Sequence, residues 1–499
     1  MQANAALLTD FYKIVHRLEY PEGTEAVYST WIPRSSYIDD VDEVVAFGMQ
    51  GFIQQYLVEY WNEHFFERDK LDVLDEYQRI IRHTLGDPNP DVSHLAALWD
   101  LGYLPLSIRA VPEGTRVPLR VPMLTIENTD PRFFWLTNAL ETLFSVQVWI
   151  QATSATIAAQ YRSLLDGWAA RTGGDPEFVQ FQGHDFSYRG HTSTPSAAAS
   201  GAGHLLSFVG TDTIPAILYL EAYYGANVEN ELVGTSVPAS EHSVMCAGGR
   251  DGELETFRRL ITKVHPTGIV SIVSDTWDLW HVLSDTLPQL HDTIMARDGK
   301  LVIRPDSGDP VDILCGTMQP HHGDYYLRRP GEETGVIEML WNEFGGTINE
   351  AGYRVLDPHV GAIYGDAITL ERARAICSRL ADKGFASTNV VFGIGSFTYQ
   401  YQTRDTFGFA MKSTYVEING EPRFIQKDPV TDTKGTKKSL TGRVVVARDL
   451  PSGRLAVIDN LDRQKQKELH SIDLLQIVFE NGVMYNTQTL SEIRGRLQG

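Results

Sequence analysis

Between residues 268 and 396 the chain repeats one rhythm: a short aliphatic run, a polar or glycine tip, then helical spacing. Gly268–Val273 ends in Ser274 and Asp275, and Leu301–Ile303 ends in Arg304 and Asp306. Val360–Tyr364 ends in Gly365 and Asp366, and Asn389–Phe392 runs into Gly393-Ile394-Gly395-Ser396. Strand, tip and helix in succession predict a parallel sheet, closed or open. Tips that all fall at carboxyl ends favour a barrel with one functional face.

The flanks are patterned differently. Thr9 caps a predicted helix carrying Asp10, Tyr12 and Lys13; alone, Asp10 and Tyr12 read as a cap-side acid and a packed aromatic. Apolar positions from Asp40 to Phe66 recur at helical spacing, with Gly48 and Gly51 as a weak point. Alternation and prolines over Leu106–Asn128 predict a small antiparallel sheet with a Pro-Glu-Gly hairpin. Phe133–Trp149 and Ala152–Arg171 read as two helices. Beyond Thr403 the pattern becomes antiparallel strands joined by Asn-Gly and Pro-Ser-Gly turns. The expected fold class is α/β: an irregular (β/α) barrel core with a second β-rich domain built from N- and C-terminal segments. Residues 1–150 are expected to pack with 403–499, leaving 151–402 as the barrel, with Gly316–Glu333 as a polar surface excursion.

Composition narrows the partners. The 499 residues carry a formal charge of -21, from 43 Lys+Arg against 64 Asp+Glu. Such a body repels nucleic acid and anionic membrane, so an anionic substrate needs a locally basic pocket. Cys246, Cys315 and Cys377 form no CxxC pair, which favours a reducing cytoplasm. The start MQANAALLTDFYK lacks the features of a signal peptide, and no apolar run is long enough to span a membrane. A cytoplasmic protein is expected.

The tips bring carboxylates, arginines and glycines. A lone Arg304-Pro305-Asp306 reads as a surface ion pair beside a turn; the repetition of such tips is what points to a ligand cradle. Asp306 and Asp366 suit sugar hydroxyls, and Gly393 and Gly395 free backbone N–H groups for a phosphate. Arg189, Arg304 and Arg404 suit phosphate oxygens. Together they fit a phosphorylated sugar. His321-His322 in the excursion reads as exposed polarity before it reads as a metal pair, and the basic loop Lys427–Ser439 is either solubilising or an anion contact. GxSxG, HExxH and GxxxxGK[ST] patterns are all missing.

Ordered motifs along nearly the whole chain carry a resemblance. They are TDFYK (9–13), ENTDP (127–131), HDFSYRG (184–190), GTDT (210–213), SVPASEHS (236–243), VSD (273–275), IRPDSGDP (303–310), GDA (365–367), FGIGS (392–396), TRD (403–405) and KDP (427–429). With these the chain resembles the nicotinamide phosphoribosyltransferases of the type II phosphoribosyltransferase family. The resemblance implies a homodimer with active sites shared between subunits, and the substrates nicotinamide, phosphoribosyl pyrophosphate and ATP. Phe186, with Tyr12 from the partner chain, would sandwich the pyridine ring. Arg304 would hold the amide oxygen, Asp212 would accept from the amide NH2, and Asp10 and Ser271 fall among the nicotinamide contacts. Asp306, Asp366, Gly365 and Asp275 fall where the family binds ribose and its phosphates. Gly393, Gly395 and Ser396, with Arg404 from the partner, match the 5′-phosphate site; Arg189, His242 and Arg304 would surround pyrophosphate. Lys412, Lys427 and Lys434–Lys438 match further phosphate contacts. Mg²⁺ would be held mainly by pyrophosphate oxygens rather than by a protein ligand set. His242 resembles the histidine that ATP phosphorylates, with Glu241 orienting the ring; without the family it reads as a structural residue.

Two departures stand out against familiar animal members: the run Gly393-Ile394-Gly395-Ser396-Phe397, and the Gly316–Glu333 excursion. The alternatives are a nicotinate phosphoribosyltransferase, against which Asp212 argues, and a non-catalytic binding or signalling protein on the same fold. An unrelated barrel aldolase or hydrolase finds no barrel-strand lysine or metal cluster to support it.

Overall fold

The computed structural model describes residues 3–317, 331–365, 367–427 and 439–499. Asp366, the His321-His322 pair and Lys434–Lys438 lie outside them, as does most of the Gly316–Glu333 excursion. The chain divides into two compact units: Met1–Thr156 with Tyr219–Ala226 and Gln402–Gly499, and Ile157–Leu218 with Asn227–Tyr401.

The second unit is built on a parallel sheet. Its six strands follow the order Gly210–Thr211, Gly183–Asp185, Val390–Ile394, Val360–Tyr364, Asp298–Arg304, Thr267–Val273. All neighbours are parallel, as in Tyr364↔Phe392 and Val273↔Arg304. The extended stretch 235–240 then closes the sheet. It bridges one edge through Gly210↔Thr235 and the other through Ala239↔Ser271, both parallel. Thr235 N donates to Val209 O at 2.7 Å and Ser271 N to Pro238 O at 2.9 Å. The result is an irregular barrel, as expected, with every strand's carboxyl end at one rim.

Capping residues set the helices that follow the strands. In IRPDSGDP the last two residues start a helix: Asp309 accepts from Val311 N and Asp312 N, and Pro310 occupies the first turn of Pro310–Cys315. Thr369 does the same for Leu370–Asp382, whose buried face is Ala373, Ile376, Cys377 and Leu380. The small-residue helix Thr194–His204 is buried from Ala197 to His204, close packing that the small side chains of Ala197–Gly203 permit.

The first unit is organised on an antiparallel sheet of seven strands. Thr24–Ile32 from the amino-terminal end pairs with Ala410–Ile418 from the carboxyl-terminal end, and Leu124–Asn128 lies on its other side. Trp31 stacks on Phe409 with ring centroids 5.5 Å apart. Arg443 makes a two-pronged ion pair with Glu127, at 2.8 and 2.5 Å, and lies over the Tyr28 ring.

Local expectations were corrected in four places. Thr9 caps no helix: its hydroxyl donates to Ala139 O at 2.7 Å, and Asp10 stands before Phe11–Glu19. Residues 40–66 are not helical throughout: Glu43–Val45 is a strand paired with Arg116–Pro118, and the helix begins at Met49 after Gly48 at φ 96°. Adjacent buried Val44 and Val45 fit a strand as well as a helix, so spacing alone misassigned them. The two helices predicted over 133–171 are one helix, Glu141–Thr172, preceded by short turns. Leu106–Ala110 and Leu124–Asn128 belong to the large sheet rather than to a small one of their own.

Candidate active site

At the carboxyl rim of the barrel the polar tips converge. A cavity of about 650 Å³ runs into the barrel from there; Phe186, Asp212, Ser271 and Arg304 are on its walls. Farther in, the lining includes Phe178 and Lys300; the latter lies on strand Asp298–Arg304, a barrel-strand lysine where none was expected.

Strand Gly183–Asp185 delivers His184 into this cavity and Phe186 just beyond. Their rings lie 4.5 Å apart, and Phe186 N is anchored on Ile394 O. Gly393 makes room for this aromatic: a Cβ there would stand 2.8 Å from Phe186 Cδ2 and 2.7 Å from Tyr364 O. Asp212 follows the next strand. Its Oδ1 accepts from His184 Nε2 at 2.9 Å and from Ser236 Oγ at 2.6 Å. Burial alone would raise its carboxyl pKa, but the hydrogen bonds from His184 and Ser236, aided by the charge of Arg304, hold it below the ordinary range. Arg304 donates from one terminal nitrogen to Ser240 O at 2.5 Å, while its Nε is buried and has no partner among the described residues. Ser271 Oγ is likewise buried and unpartnered. The wall therefore offers an anionic acceptor, a guanidinium and a hydroxyl around one aromatic face.

A second cluster sits beside it. Asp275 Oδ2 accepts from Asp306 N at 2.9 Å and from Ser307 Oγ at 2.6 Å, which ties two strand tips together. Asp275 Oδ1 is buried without a hydrogen-bond partner among the described residues. His242, half exposed at the start of helix His242–Ala247, holds Nε2 3.9 Å from Asp275 and 3.8 Å from Asp306. The partner of its Nδ1 is Thr276 Oγ1, at 3.1 Å. Glu241, expected to orient the ring, accepts from Ser243 Oγ instead. Gly365 faces Asp306, Gly395 caps the short turn Ser396–Tyr399, and Ser396 packs against Gly190 next to the exposed Arg189.

Five predicted site residues belong to the other unit. Asp10 precedes the helix Phe11–Glu19 and accepts from Thr142 Oγ1. Tyr12 is 57% exposed. Arg404 is half exposed beside Asp405, and Lys427 is exposed. Lys412 is half-buried; burial lowers its ammonium pKa, opposed by Glu141 and reinforced by Arg34, Lys427 and Lys13. These cations form a local basic cluster in an acidic protein.

Sequence reasoning missed His184, Ser236, Ser240 and Thr276. The first three lie inside motifs already singled out, HDFSYRG and SVPASEHS, but nothing in either string shows that His184 and Ser236 meet at Asp212.

Comparison with known proteins identifies the family. The family model "Nicotinate phosphoribosyltransferase (NAPRTase) family" matches residues 181–482, and "Nicotinamide phosphoribosyltransferase, N-terminal domain" matches residues 4–76. The chain belongs to the nicotinate phosphoribosyltransferase family, a class of pentosyltransferases. It is 51% identical over 499 residues to the nicotinamide phosphoribosyltransferase of Acinetobacter baylyi, covering 98% of this chain and 96% of that one. The nicotinamide phosphoribosyltransferase of Xanthomonas campestris is 35% identical, with 98% and 97% covered. Among solved structures, nicotinate-nucleotide pyrophosphorylase from Pyrococcus furiosus matches in fold, with a TM-score of 0.59, 16% identity, and 99% and 94% of the two chains covered.

Proposed function

We propose that this chain is a nicotinamide phosphoribosyltransferase, forming nicotinamide mononucleotide and pyrophosphate from nicotinamide and phosphoribosyl pyrophosphate in NAD biosynthesis. The observation that carries the reading is Asp212, an ionised acceptor on the same cavity wall as Arg304. A primary amide complements both: its NH2 donates to Asp212 and its oxygen accepts from Arg304. Phe186 supplies a face for the pyridine ring, with Tyr12 of a second subunit as the opposite face. A nicotinate carboxylate would instead meet Asp212 as a like charge in a partly dry pocket, costing on the order of a few kcal/mol. The purified protein is expected to turn over nicotinamide and to discriminate against nicotinate; equal turnover of the two would defeat the assignment.

The pyridine nitrogen attacks the anomeric carbon as the bond to pyrophosphate breaks, so positive charge grows on the ribose. Asp306, at the rim, is the carboxylate available to ribose hydroxyls and to that charge. The backbone at Gly393, Gly395 and Ser396 receives the 5′-phosphate, and Arg189 and Arg304 receive the departing pyrophosphate. Among the described residues no group of three or more His, Cys, Asp or Glu could hold a metal by itself. A magnesium ion would be carried mainly by pyrophosphate, with Asp275 Oδ1 and Asp306 as the protein oxygens that would face it. When bound, it neutralises charge on the leaving group.

ATP coupling through His242 is part of the proposal. Thr276 on Nδ1 leaves Nε2 turned toward the two acids, a ring held for phosphoryl transfer. Label from γ-³²P-ATP is expected to survive base, to be lost in acid, and to vanish in His242→Ala; label persisting in that variant would refute the role. A homodimer completes the site in this reading. It is supported by exposed Phe11 and Tyr12, 50% and 57% accessible, and by the basic cluster at Lys412. No helix among the described residues is long and apolar enough to cross a membrane, and a cytoplasmic site of action fits three free thiols.

A further inference from the structure

Both side-chain hydrogen bonds that reach Asp212 end on the same oxygen. His184 Nε2 and Ser236 Oγ converge on Oδ1 at 2.9 and 2.6 Å, and Oδ2 has no partner among the described residues. A free carboxylate turns readily about its last torsion and presents either oxygen. Two donors on one oxygen arrest that turn.

The donors are themselves held from independent parts of the barrel. His184 lies within a strand and is 8% exposed. Its ring rests against Phe186, and the backbone of Gly210 closes the other side, where a Cβ would stand 2.9 Å from Nδ1. Ser236 comes from the stretch that seals the barrel. Because an ionised carboxylate has no proton to give, both neighbours must donate. The Nε2 hydrogen of His184 and the hydroxyl hydrogen of Ser236 are therefore committed to Oδ1. Neither is left to turn outward and satisfy a ligand carboxylate.

We infer that His184 and Ser236 are positioning residues that make Asp212 an acceptor-only edge, so that preference for an amide over an acid is set by the three residues together. This rests on the reading of Asp212 as the amide contact. It differs from that reading in assigning the selectivity to hydrogens that never touch the substrate.

The test is steady-state kinetics with nicotinamide and nicotinate on Asp212→Asn, His184→Ala, His184→Gln, Ser236→Ala and the Asp212→Asn/Ser236→Ala pair. Ser236→Ala and His184→Ala are each expected to raise KM for nicotinamide about tenfold, the scale of one lost bond to a charged group. KM for phosphoribosyl pyrophosphate and kcat should hold, and the ratio of nicotinamide to nicotinate use should fall. His184→Gln, which keeps an N–H at similar reach, should recover most of the loss. In the Asp212→Asn background Ser236→Ala should add nothing. Should His184→Ala fail to fold, the exposed Ser236 carries the test. If Asp212→Asn abolishes amide preference while Ser236→Ala and His184→Ala leave KM and the ratio unchanged, the positioning role is overturned and the Asp212 reading stands. If Asp212→Asn keeps the amide preference, the underlying reading fails.

Discussion

Gly365 and Asp306 stand so close that a Cβ on Gly365 would lie 2.6 Å from Asp306 Oδ1. The backbone of Gly365 is not in the left-handed region, so alanine is tolerated there conformationally and the conflict is with the carboxylate alone. Gly365→Ala should therefore fold with an ordinary melting temperature while losing on the order of 100-fold in kcat/KM through displacement of Asp306. A variant with normal kinetics would show that Asp306 can move without consequence.

Gly393 meets harder neighbours. An added methyl would press on Tyr364 O at 2.7 Å, Phe186 at 2.8 Å and Gly365 Cα at 2.9 Å, two of them backbone atoms. Overpacking of this kind costs about 1–3 kcal/mol. Gly393→Ala should lower both the unfolding midpoint and nicotinamide affinity, measured by calorimetry and by KM; loss of affinity with unchanged stability would mean that only the ring yields.

In the first unit, Glu113 is fully buried at the start of the Met49 helix. It accepts from Gln50 N at 2.7 Å and Gly48 N at 3.2 Å. Burial pushes its carboxyl up to about 7, against those bonds. The folded state thus holds this proton more tightly than the unfolded chain, and Glu113 subtracts stability as pH rises from about 4.5 through 7. The full effect is about 3 kcal/mol. Urea unfolding of Glu113→Gln and the parent should show the variant gaining stability relative to the parent between pH 5 and 8. A difference that is flat with pH would rule this out.

Arg443 is 4% exposed and paired with Glu127. Arg443→Met removes one partner of a buried pair and leaves Glu127, among the described residues, with only the more distant Arg463, 3.5 Å away. The expected loss is about 3–5 kcal/mol in urea unfolding. Restoring stability by also replacing Glu127 with Gln would confirm that the stranded charge, rather than lost packing, is responsible.

Four of the six barrel strands were legible because each announces itself twice, once by a buried aliphatic run such as Val360–Tyr364 and again by a tip that packing cannot use; Gly183–Asp185 and Gly210–Thr211 carry no such run. The caps Asp309 and Thr369, which mark where the following helices begin, emerge only from the fold. What stayed hidden was pairing. The stretch around Val237 reads as a loop because prolines and serines carry no strand pattern, yet it supplies the closing bridges. Glu241, adjacent in the chain, is the neighbour of His242 that the sequence offers; only the fold puts Thr276 on the ring and turns Glu241 to Ser243. Val44 and Val45 show the same limit from the other side, since two adjacent valines satisfy either period.

That closing stretch has a consequence for how such a chain can change over time. Ser236, Ser240 and His242 are threaded on the same few residues whose backbone stitches the two open edges together. Length polymorphism tolerated elsewhere on the rim would here unzip the seam and misplace the chemistry in one stroke. Natural variants of this fold should therefore diversify at other turns and keep the spacing from Thr235 to His242 constant.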